Sequence, residues 1–545
     1  MSYKPILQKT SPCEAMLVVD LVKDKSYESW ECKEALMVST VIQGLINREA
    51  KTKIYFIHYP NEHFFDPFPS DEEQLLTEGF FPVPYTYAKL SEDKKYPALS
   101  YLLNAYKDVI KGAILIPSLS DTVCDGAIMA GVTACGQLDA VPLTDAMAAY
   151  LKEEGFSFEV MDDMRKLEDN ISAFLYAKAQ YFNEKTTRVF LGQHSFTAFG
   201  GGVEDQFPIV YDYFVAFKAF VFCLNGNVEE ERQHLSQILN EANYALATPV
   251  IGLPVDEGAG LRTIEQLGYY FVIANVQNFT CTSAFESDPL KLHPQPAPRV
   301  VPVEDSSAYI AFYVSDGDSM GFSTLFHHED MKTHPYAGEV PIGWSVNPLL
   351  MDIFPSLMTY KWQYAPNQYE WIMDWNDQTQ DGILRKSNDA AWAQYCEQIK
   401  GYKEAMGFYT TNYFEGDEDF IKRVNPFYQI KSYWGTYGSE TDMQMAGDTV
   451  TSKITGRTQL KDVALIVSDI EVALKRFKED EPAFLLVGVG DGRAAYGGGE
   501  VTVKVKEVMN RLTQNAKSRS ISFMMPKDLA ATYKAYIQKE EKNHE

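Results

Sequence analysis

A regular succession of apolar strands and helical segments fills the chain from residue 308 onward and limits its fold more than any other feature. The predicted strands are short and rich in β-branched and aromatic residues, and helix-length segments separate them. Short strands that alternate with helices form parallel sheets, so seven or eight such units predict a (β/α)7-8 TIM-like barrel, with an open doubly wound sheet as the alternative. The strands are predicted at Ala308–Ser315, Pro341–Val346, Glu370–Trp375, Phe408–Tyr413, Gln429–Trp434, Phe484–Val489 and Ser520–Met525, with an eighth at Leu465–Val467.

The first half of the chain shows the same alternation with less regularity. It predicts an N-terminal α/β region, residues 1–286, made of two or three small parallel-sheet units. Residues 287–307 contain five prolines, which disfavour helix and central strand, and they predict an extended linker before a barrel domain at 308–545. The predicted strands are Ala15–Val22, Lys53–His58, Gly112–Pro117, Arg188–Gly192, Pro249–Leu253 and Tyr269–Ala274, and the predicted helices are Cys32–Arg48, Asp121–Gly136, Tyr211–Cys223 and Glu229–Asn243.

Length and charge narrow the class of protein. The 545 residues exceed what one hydrophobic core organises, so more than one domain is expected. The formal net charge of −26 repels phosphate backbones and anionic lipid, so neither nucleic acid nor a membrane is an expected partner. A neutral ligand such as a sugar is unaffected by that charge. The oligomeric state is not predicted.

The cysteines and the N-terminal segment indicate the cellular compartment in which the protein is expected. The seven cysteines include no CxxC pair and lie mostly in apolar patterns, which favours small buried thiols over a disulfide framework or a zinc site. The first residues lack a basic segment followed by an apolar one, and no apolar run is long enough to span a bilayer. A soluble, cytoplasmic protein is therefore expected.

Polar and aromatic side chains follow almost every predicted strand of the barrel. Because the carboxyl ends of parallel barrel strands meet at one mouth, these side chains are expected to converge there. Carboxylates and amides that bind hydroxyl groups, together with aromatic rings that stack on apolar sugar faces, suit a carbohydrate. The candidate site residues are Asp316, Asp318, Trp344, Asn347, Asp374, Trp375, Asn376, Asp377, Glu415, Trp434, Asp491 and Arg493.

Hydrolysis of a glycosidic bond needs two carboxyl groups in different environments. Asp316 and Asp374 are the predicted catalytic pair, because one follows the first barrel strand and the other immediately precedes the polar segment WNDQTQDG. The remaining candidates are predicted to bind the substrate. Asp318, Asn347 and Asp377 would orient the catalytic pair or bind hydroxyls, and Trp344, Trp375 and Trp434 would stack on sugar rings.

Several alternatives remain open for these residues. Asp318 can instead cap a helix, Glu415 can begin a solvated acidic loop, and each tryptophan can be a core residue. Asp316 with His327, His328 or His334 would suit a metal-dependent deacetylase, although the spacing matches no helical ligand pair. A non-catalytic glycan-binding or scaffold protein is a third hypothesis. Gly488–Gly492 is not a GxGxxG loop, so no nucleotide or other cofactor is expected.

Three stretches of the chain carry a resemblance to a known family. They are Val41–Arg48 with Lys53–Phe56, then Gly252–Ala274 with Asn278-Phe279-Thr280, and finally Tyr313–Asp318 with Gly343–Pro348. In these stretches the chain resembles the GxGYxYP glycoside hydrolase family, which is best known from gut bacteria. The resemblance implies an N-terminal and a C-terminal domain and a hydrolase that acts on glycans, in a family that is often exported.

The chain departs from that family at the motif that gives the family its name. A segment rich in glycine and tyrosine is expected just after the third barrel strand. Residues 371–382 read WIMDWNDQTQDG at that place, without the tyrosines or the proline. The resemblance therefore implies a divergent member.

Overall fold

The computed structural model describes most of the chain and divides it into two compact units. One unit, here the N-terminal unit, consists of Pro5–Ser287 with Met351–Leu357, and the other, the barrel unit, of Met1–Lys4, Asp288–Leu350 and Met358–Glu545. The described residues are 4–25, 29–57, 81–120, 124–195, 210–274, 276–285, 295–315, 317, 320, 336, 338–364, 369–374, 388–413, 418–435, 441–453, 462–489, 501–516 and 519–544.

The first half of the chain alternates strands with helices, as predicted. Short 3-10 helices lie at Leu21–Asp24, Lys107–Val109 and Met164–Lys166. In chain order the other elements are β1 (Ala15–Asp20), α1 (Trp30–Asn47), β2 (Thr52–Ile57), β3 (Tyr85–Tyr87), α2 (Pro97–Tyr106), β4 (Gly112–Leu115), α3 (Asp125–Leu138), β5 (Ala140–Leu143), α4 (Asp145–Glu153), β6 (Val160–Asp163), α5 (Asn170–Tyr181), β7 (Leu191–Gln193), α6 (Tyr211–Ala216), β8 (Val221–Phe222), α7 (Glu229–Glu241), β9 (Pro249–Gly252), α8 (Glu257–Gln266), β10 (Tyr270–Ile273) and α9 (Phe279–Thr282).

Three small parallel sheets form the N-terminal unit, with strand orders β2-β1-β3, β5-β4-β6 and β10-β9-β7-β8. They confirm the predicted small parallel sheets. Helix α1 is buried on every side from Cys32 to Asn47. A Cβ atom at Gly44 would lie 2.3 Å from the carbonyl oxygen of Asp212, so only glycine lets α6 pack this closely on α1.

Side-chain caps set the starts of several helices. The Ser29 hydroxyl accepts a hydrogen bond from the Cys32 amide at 3.3 Å and begins α1, and the Asp256 carboxylate accepts from Ala259 N at 2.7 Å and begins α8. These side chains satisfy amide groups that have no partner within the helix, which is why serine and aspartate favour this position.

The second half of the chain contains the remaining elements. They are β11 (Ser307–Val314), β12 (Ile342–Val346), α10 (Leu350–Ile353), α11 (Pro355–Tyr364), β13 (Tyr369–Met373), α12 (Asp389–Met406), β14 (Thr410–Tyr413), α13 (Glu418–Tyr428), β15 (Ser432–Gly435), β16 (Thr441–Ala446), β17 (Thr449–Lys453), α14 (Val463–Leu474), β18 (Ala483–Gly488), α15 (Val501–Asn515), β19 (Ser520–Phe523) and α16 (Pro526–His544).

One sheet organises the barrel unit. Its strand order is β16-β17-β15-β14-β13-β12-β11-β18, and β19 pairs with the first half of β11. All neighbouring strands are parallel except β16, which forms an antiparallel hairpin with β17. The end strands β16 and β18 lie in contact, so the eight-strand path curls into a nearly closed, barrel-like sheet.

Helix α16 crosses the interior at the N-terminal end of this sheet. Leu529 and Ala530 belong to the same buried cluster as Tyr309, Ile372 and Phe484, which project inward from three strands. The helix therefore supplies core residues that a symmetric barrel would take from its own strands.

Two details of the prediction are wrong. The segment proposed as an eighth strand, Leu465–Val467, lies inside helix α14, and the path is completed by two unpredicted strands, β16 and β17. The predicted helix Tyr211–Cys223 ends at Ala216, because Val221 and Phe222 form β8. The seven other strands predicted in the second half are present at shifted ends. A mixed α/β fold with a barrel-like sheet is thus confirmed, whereas a strict (β/α)7-8 succession is not shown.

Candidate functional site

A register-matched row of residues follows the strands at the carboxyl edge of the barrel sheet. Val346 pairs with Met373 and Met373 with Thr411, so Asn347, Asp374 and Asn412 are the next residues in the same row. Asn412 pairs with Trp434, and Trp434 with Ser452. Side chains in one row point to the same face of a sheet, and here that face is the barrel interior, because Trp434 belongs to the interior cluster. This "strand-end row" consists of Asn347, Asp374, Asn412, Trp434 and Ser452.

Asp374 is the carboxylate of the strand-end row. Its backbone N–H donates to Val346 O at 2.9 Å, which holds the residue against the end of β12. Its Oδ1 accepts a hydrogen bond from Asn412 Nδ2 at 3.1 Å, and only 4% of its surface is exposed. A carboxylate taken out of water costs several kcal/mol unless donors surround it, so a buried acid held by a side-chain amide is a notable feature of this edge.

Gly317, between Asp316 and Asp318 in the sequence, packs directly on the end of β12. Its N–H donates to Ser345 Oγ at 2.7 Å, and its carbonyl oxygen accepts from Asn347 N at 2.8 Å. A Cβ atom at this position would lie 2.1 Å from the carbonyl oxygen of Ser345, closer than any side chain allows. The glycine of the DGD segment is therefore required by close approach of two backbones.

Ser345 was not among the predicted site residues, although the sequence contains a signal for it. Gly343, Ser345 and Asn347 alternate along β12 with the apolar residues Trp344 and Val346. Period-two alternation puts the small and polar set on one face of the strand. Asn347 is fully buried, and its Oδ1 accepts from Leu349 N at 2.9 Å, so this side chain also shapes the turn into α10.

The described tryptophans are packed rather than open to solvent. Trp434 is fully buried in the interior, and its indole N–H has no hydrogen-bond partner among the described residues. Trp344 is also fully buried, on the opposite face of the sheet from Asn347, with its ring edge-on to Tyr369 at 5.9 Å. Trp371 stacks on Trp362 at 5.1 Å. Trp344 thus lies on the face that does not carry the strand-end row.

Most of the other predicted site residues lie outside the described part of the chain. They are Asp316, Asp318, Trp375, Asn376, Asp377, Glu415, Asp491 and Arg493, together with the histidines of the metal hypothesis, His327, His328 and His334. Within the described ranges no group of three or more His, Cys, Asp or Glu side chains is arranged to hold a metal ion. No helix in those ranges is long and apolar enough to cross a membrane.

A second buried carboxylate, Glu370, lies on the same strand and was not predicted. Its Oε1 accepts from the Thr410 hydroxyl and its Oε2 from the backbone N–H of Lys527, both at 2.6 Å. Burial raises the pKa of Glu370 to about 7, against the hydrogen bonds and the nearby Lys527 charge, which lower it. The donor from Lys527 belongs to the first turn of α16, where free N–H groups favour a negative charge. Glu370 therefore joins α16 to the N-terminal end of β13.

Fold and site together define an α/β protein whose barrel-like sheet carries buried acid and amide side chains at its carboxyl edge. Residues 306–378 match the family model described as "GxGYxYP putative glycoside hydrolase C-terminal domain". The match contains both C-terminal stretches on which the resemblance rests, Tyr313–Asp318 and Gly343–Pro348, so the resemblance to this family is confirmed there.

A solved structure extends the likeness of fold to nearly the whole chain. It is the crystal structure of a putative hydrolase from Bacteroides thetaiotaomicron VPI-5482 at 1.25 Å resolution, with a TM-score of 0.75, 17% sequence identity and 98% of each chain covered. At that identity the likeness shows a shared fold. The search of curated proteins finds no match.

Proposed function

We propose that this protein is a glycoside hydrolase whose catalytic carboxyl groups are Asp374 and Asp316, at the carboxyl edge of the barrel sheet. One carboxyl group donates a proton to the leaving glycosidic oxygen. The other attacks the anomeric carbon or activates a water molecule, depending on the separation of the two groups. The family description of residues 306–378 supports the same reaction class.

The observation that carries this proposal is the hydrogen-bonded connection between Gly317 and the strand-end row. Gly317 is covalently bonded to Asp316 and Asp318, and its carbonyl oxygen accepts from the N–H of Asn347, the residue that precedes Asp374 in the row across the sheet. Gly317 and Asp374 thus belong to adjoining parts of one sheet edge, which supports assigning the acids that flank Gly317 in the sequence to the same site as Asp374. Two acids from separate strands are what a glycosidase of this fold class requires.

The remaining residues of the row fit roles in binding the sugar. Asn412, through its contact with Asp374, fixes the orientation of that carboxylate. The indole N–H of Trp434, which lacks a partner among the described residues, is a donor that a sugar hydroxyl can satisfy. Trp344 contributes packing behind the sheet in this proposal. Asp318, Trp375, Asn376, Asp377, Glu415, Asp491 and Arg493 remain proposed ligands of the sugar.

The test is turnover on a panel of oligosaccharides and polysaccharides, followed by single substitutions. Asp374→Asn and Asp316→Asn are expected to lower kcat on a responsive glycan by about a thousandfold, because each removes one of the two carboxyl groups that the reaction needs. Asp389→Asn is the matched control, since Asp389 is exposed and pairs with Arg423 on the surface. It should leave kcat unchanged.

The panel also separates the other hypotheses. Turnover that survives both substitutions would refute the assignment of Asp374 and Asp316. Glycan binding without turnover would favour a non-catalytic binding protein. Deacetylation that is lost after treatment with a chelator would favour the metal-dependent hydrolase.

A further inference from the structure

Two cysteines that are far apart in the sequence meet inside the N-terminal unit. Cys13 precedes β1 and Cys281 lies in α9, and their thiols are close enough that each shifts the pKa of the other. The backbones approach as well, because Cys13 N donates to Ala284 O at 3.4 Å. Both cysteines are free thiols. The pair has no part in the hydrolysis proposed for the barrel unit.

A buried lysine lies beside this thiol pair. Lys53 is fully buried on β2, and its ammonium donates to Asn47 O at 2.6 Å and to Ser11 Oγ at 3.0 Å. Burial lowers the pKa of Lys53 to about 8, and the groups whose charge opposes this shift are the two cysteines. The Lys53 backbone N–H also contributes to lowering the pKa of the Cys13 thiol. A cation and an N–H donor next to a sulfur both stabilise a thiolate.

The two thiols differ in exposure and acidity. Cys13 is partly exposed, and the neighbouring Cys281 thiol together with the Lys53 charge lowers the pKa of its thiol despite partial burial. Cys281 is fully buried, and burial raises the pKa of its thiol well above the usual range. An accessible, acidic thiol next to a buried, less acidic one is the arrangement in which the first attacks an oxidant and the second resolves the product.

We propose that Cys13 and Cys281 form a reversible oxidation site that a small disulfide compound converts into an intramolecular disulfide bond. The Cys13 thiolate attacks one sulfur of the compound RSSR, forming a mixed disulfide and releasing RS⁻. The Cys281 sulfur then attacks the Cys13 sulfur and displaces the second RS⁻. The two thiol protons are taken up by the two leaving groups, so the products are one protein disulfide and two RSH.

The other cysteines provide internal controls for this site. Cys135 and Cys223 are fully buried, and burial raises the pKa of both thiols. Cys32 is also buried, and its sulfur accepts a hydrogen bond from Ser29 Oγ at 3.3 Å. Because a disulfide requires two Cβ atoms about 3.5–4.5 Å apart, a neighbouring thiol matters as much as reactivity. Selective linkage of residues 13 and 281 is therefore the expected result.

The test uses the full-length protein, oxidised glutathione as the probe, rapid alkylation of remaining thiols, and peptide mapping without reduction. The expected product is one cross-linked peptide pair containing Cys13 and Cys281, which dithiothreitol reverses, with five of the seven thiols still alkylated. Cys32→Ser should give the same product. Cys281→Ser, or Cys281→Ala if the serine variant does not fold, should stop at a glutathione adduct on Cys13.

Substitution of Lys53 tests the role of its charge. Lys53→Met should slow adduct formation on Cys13, because the neutral side chain no longer stabilises the Cys13 thiolate. A stable glutathione adduct on Cys13 of the unaltered protein, linkage between other cysteines, or no reaction at Cys13 would each overturn the proposal.

Discussion

The two ends of strand β13 hold buried carboxylates that face the same interior but have different neighbours. Glu370 accepts from the first turn of α16 and from a threonine hydroxyl, so its two oxygens tie a helix to the sheet. Asp374 accepts from the side-chain amide of Asn412 at the edge where the strands end. The comparison teaches that burial of an acid does not by itself identify a catalytic group. The donors around the acid and the end of the barrel on which it lies distinguish the two roles.

The largest difference between the two acids is expected in turnover. Asp374→Asn should lower kcat by about a thousandfold while changing the free energy of unfolding by less than about 1 kcal/mol, because the amide keeps the size of the side chain. Glu370→Gln should leave kcat within about threefold of the unaltered enzyme at equal folded fraction. Kinetics and urea denaturation on both variants measure this. If Asp374→Asn and Glu370→Gln both fold well and lose turnover equally, the two ends of β13 do not differ in their roles.

The second difference is expected in the pH dependence of stability. The pKa of Glu370 is raised from 4.5 to about 7 in the folded protein. Between pH 4.5 and pH 7, the Glu370 carboxyl group is therefore protonated in the folded protein but ionised in the unfolded chain. This stabilisation is complete below pH 4.5 and is lost as the pH rises through 7. Its full size is about 3 kcal/mol, from about 1.4 kcal/mol for each pKa unit.

Comparison of Glu370→Gln with the unaltered protein isolates this contribution. The difference in unfolding free energy between the two should fall steadily as the pH rises from about 4.5 to 7, by about 3 kcal/mol in total. Urea denaturation at several pH values measures it. A difference that stays constant across this range would show that Glu370 is not protonated in the folded protein.

Gly317 tests whether the mouth depends on the close approach of two backbones. Gly317→Ala would place a Cβ atom 2.1 Å from the Ser345 carbonyl oxygen, so a loss of about 2 kcal/mol in unfolding free energy is expected, with lower turnover. Gly447→Ala is the control, because Gly447 has a φ of +63° and no atom within 4 Å of the added Cβ. That substitution should cost about 1 kcal/mol and leave turnover unchanged. Unchanged stability in Gly317→Ala would contradict the contact.

The smallest effect is expected at the ion pair that adjoins Glu370. Arg299 Nη2 lies 3.0 Å from Asp528 Oδ2 at the start of α16, but 71% of the arginine side chain is exposed. Arg299→Ala should therefore cost less than about 1 kcal/mol, since water and salt screen the exposed arginine end of the pair. The Arg299 backbone N–H still donates to Asp528 Oδ1 at 2.7 Å in that variant. A cost above 2 kcal/mol, measured by urea denaturation, would place the anchoring of α16 at this pair and not at Glu370.

Local patterns in the sequence predicted the strands well and the pairing of their side chains poorly. The apolar segments at β11 and β18 are continuous and bounded by polar residues, which is why they were recognised. The run Ala464–Val467 is equally apolar, but it belongs to a helix, because a short apolar run does not distinguish the two structures. In the hairpin β16–β17, polar and apolar residues alternate only over Asp442–Met445, which is too short to stand out, and the hairpin was missed.

The site residues show where sequence reasoning ends. Asp374 was identifiable, because it immediately precedes a segment too polar for a core. Glu370 was not, because a single acid inside an apolar strand has no local partner, and its donor at Lys527 is 157 residues away. The need for glycine at position 317 depends on Ser345 of the next strand, 28 residues further on. Contacts between distant segments decide which acids are tied to the framework, and one sequence does not record them.

Strand β11 has a consequence for how the polypeptide matures. Its residues pair with β12 and also with β18 and β19, which are made more than 160 residues later on the ribosome. One edge of Ser307–Val314 therefore stays unpaired after it leaves the exit tunnel, until almost all of the remaining polypeptide has been synthesised. Translation that stops before residue 520 would leave the first half of β11 without its β19 partner. Such topologies fold slowly, so this edge of β11 is expected to stay exposed to aggregation for most of synthesis.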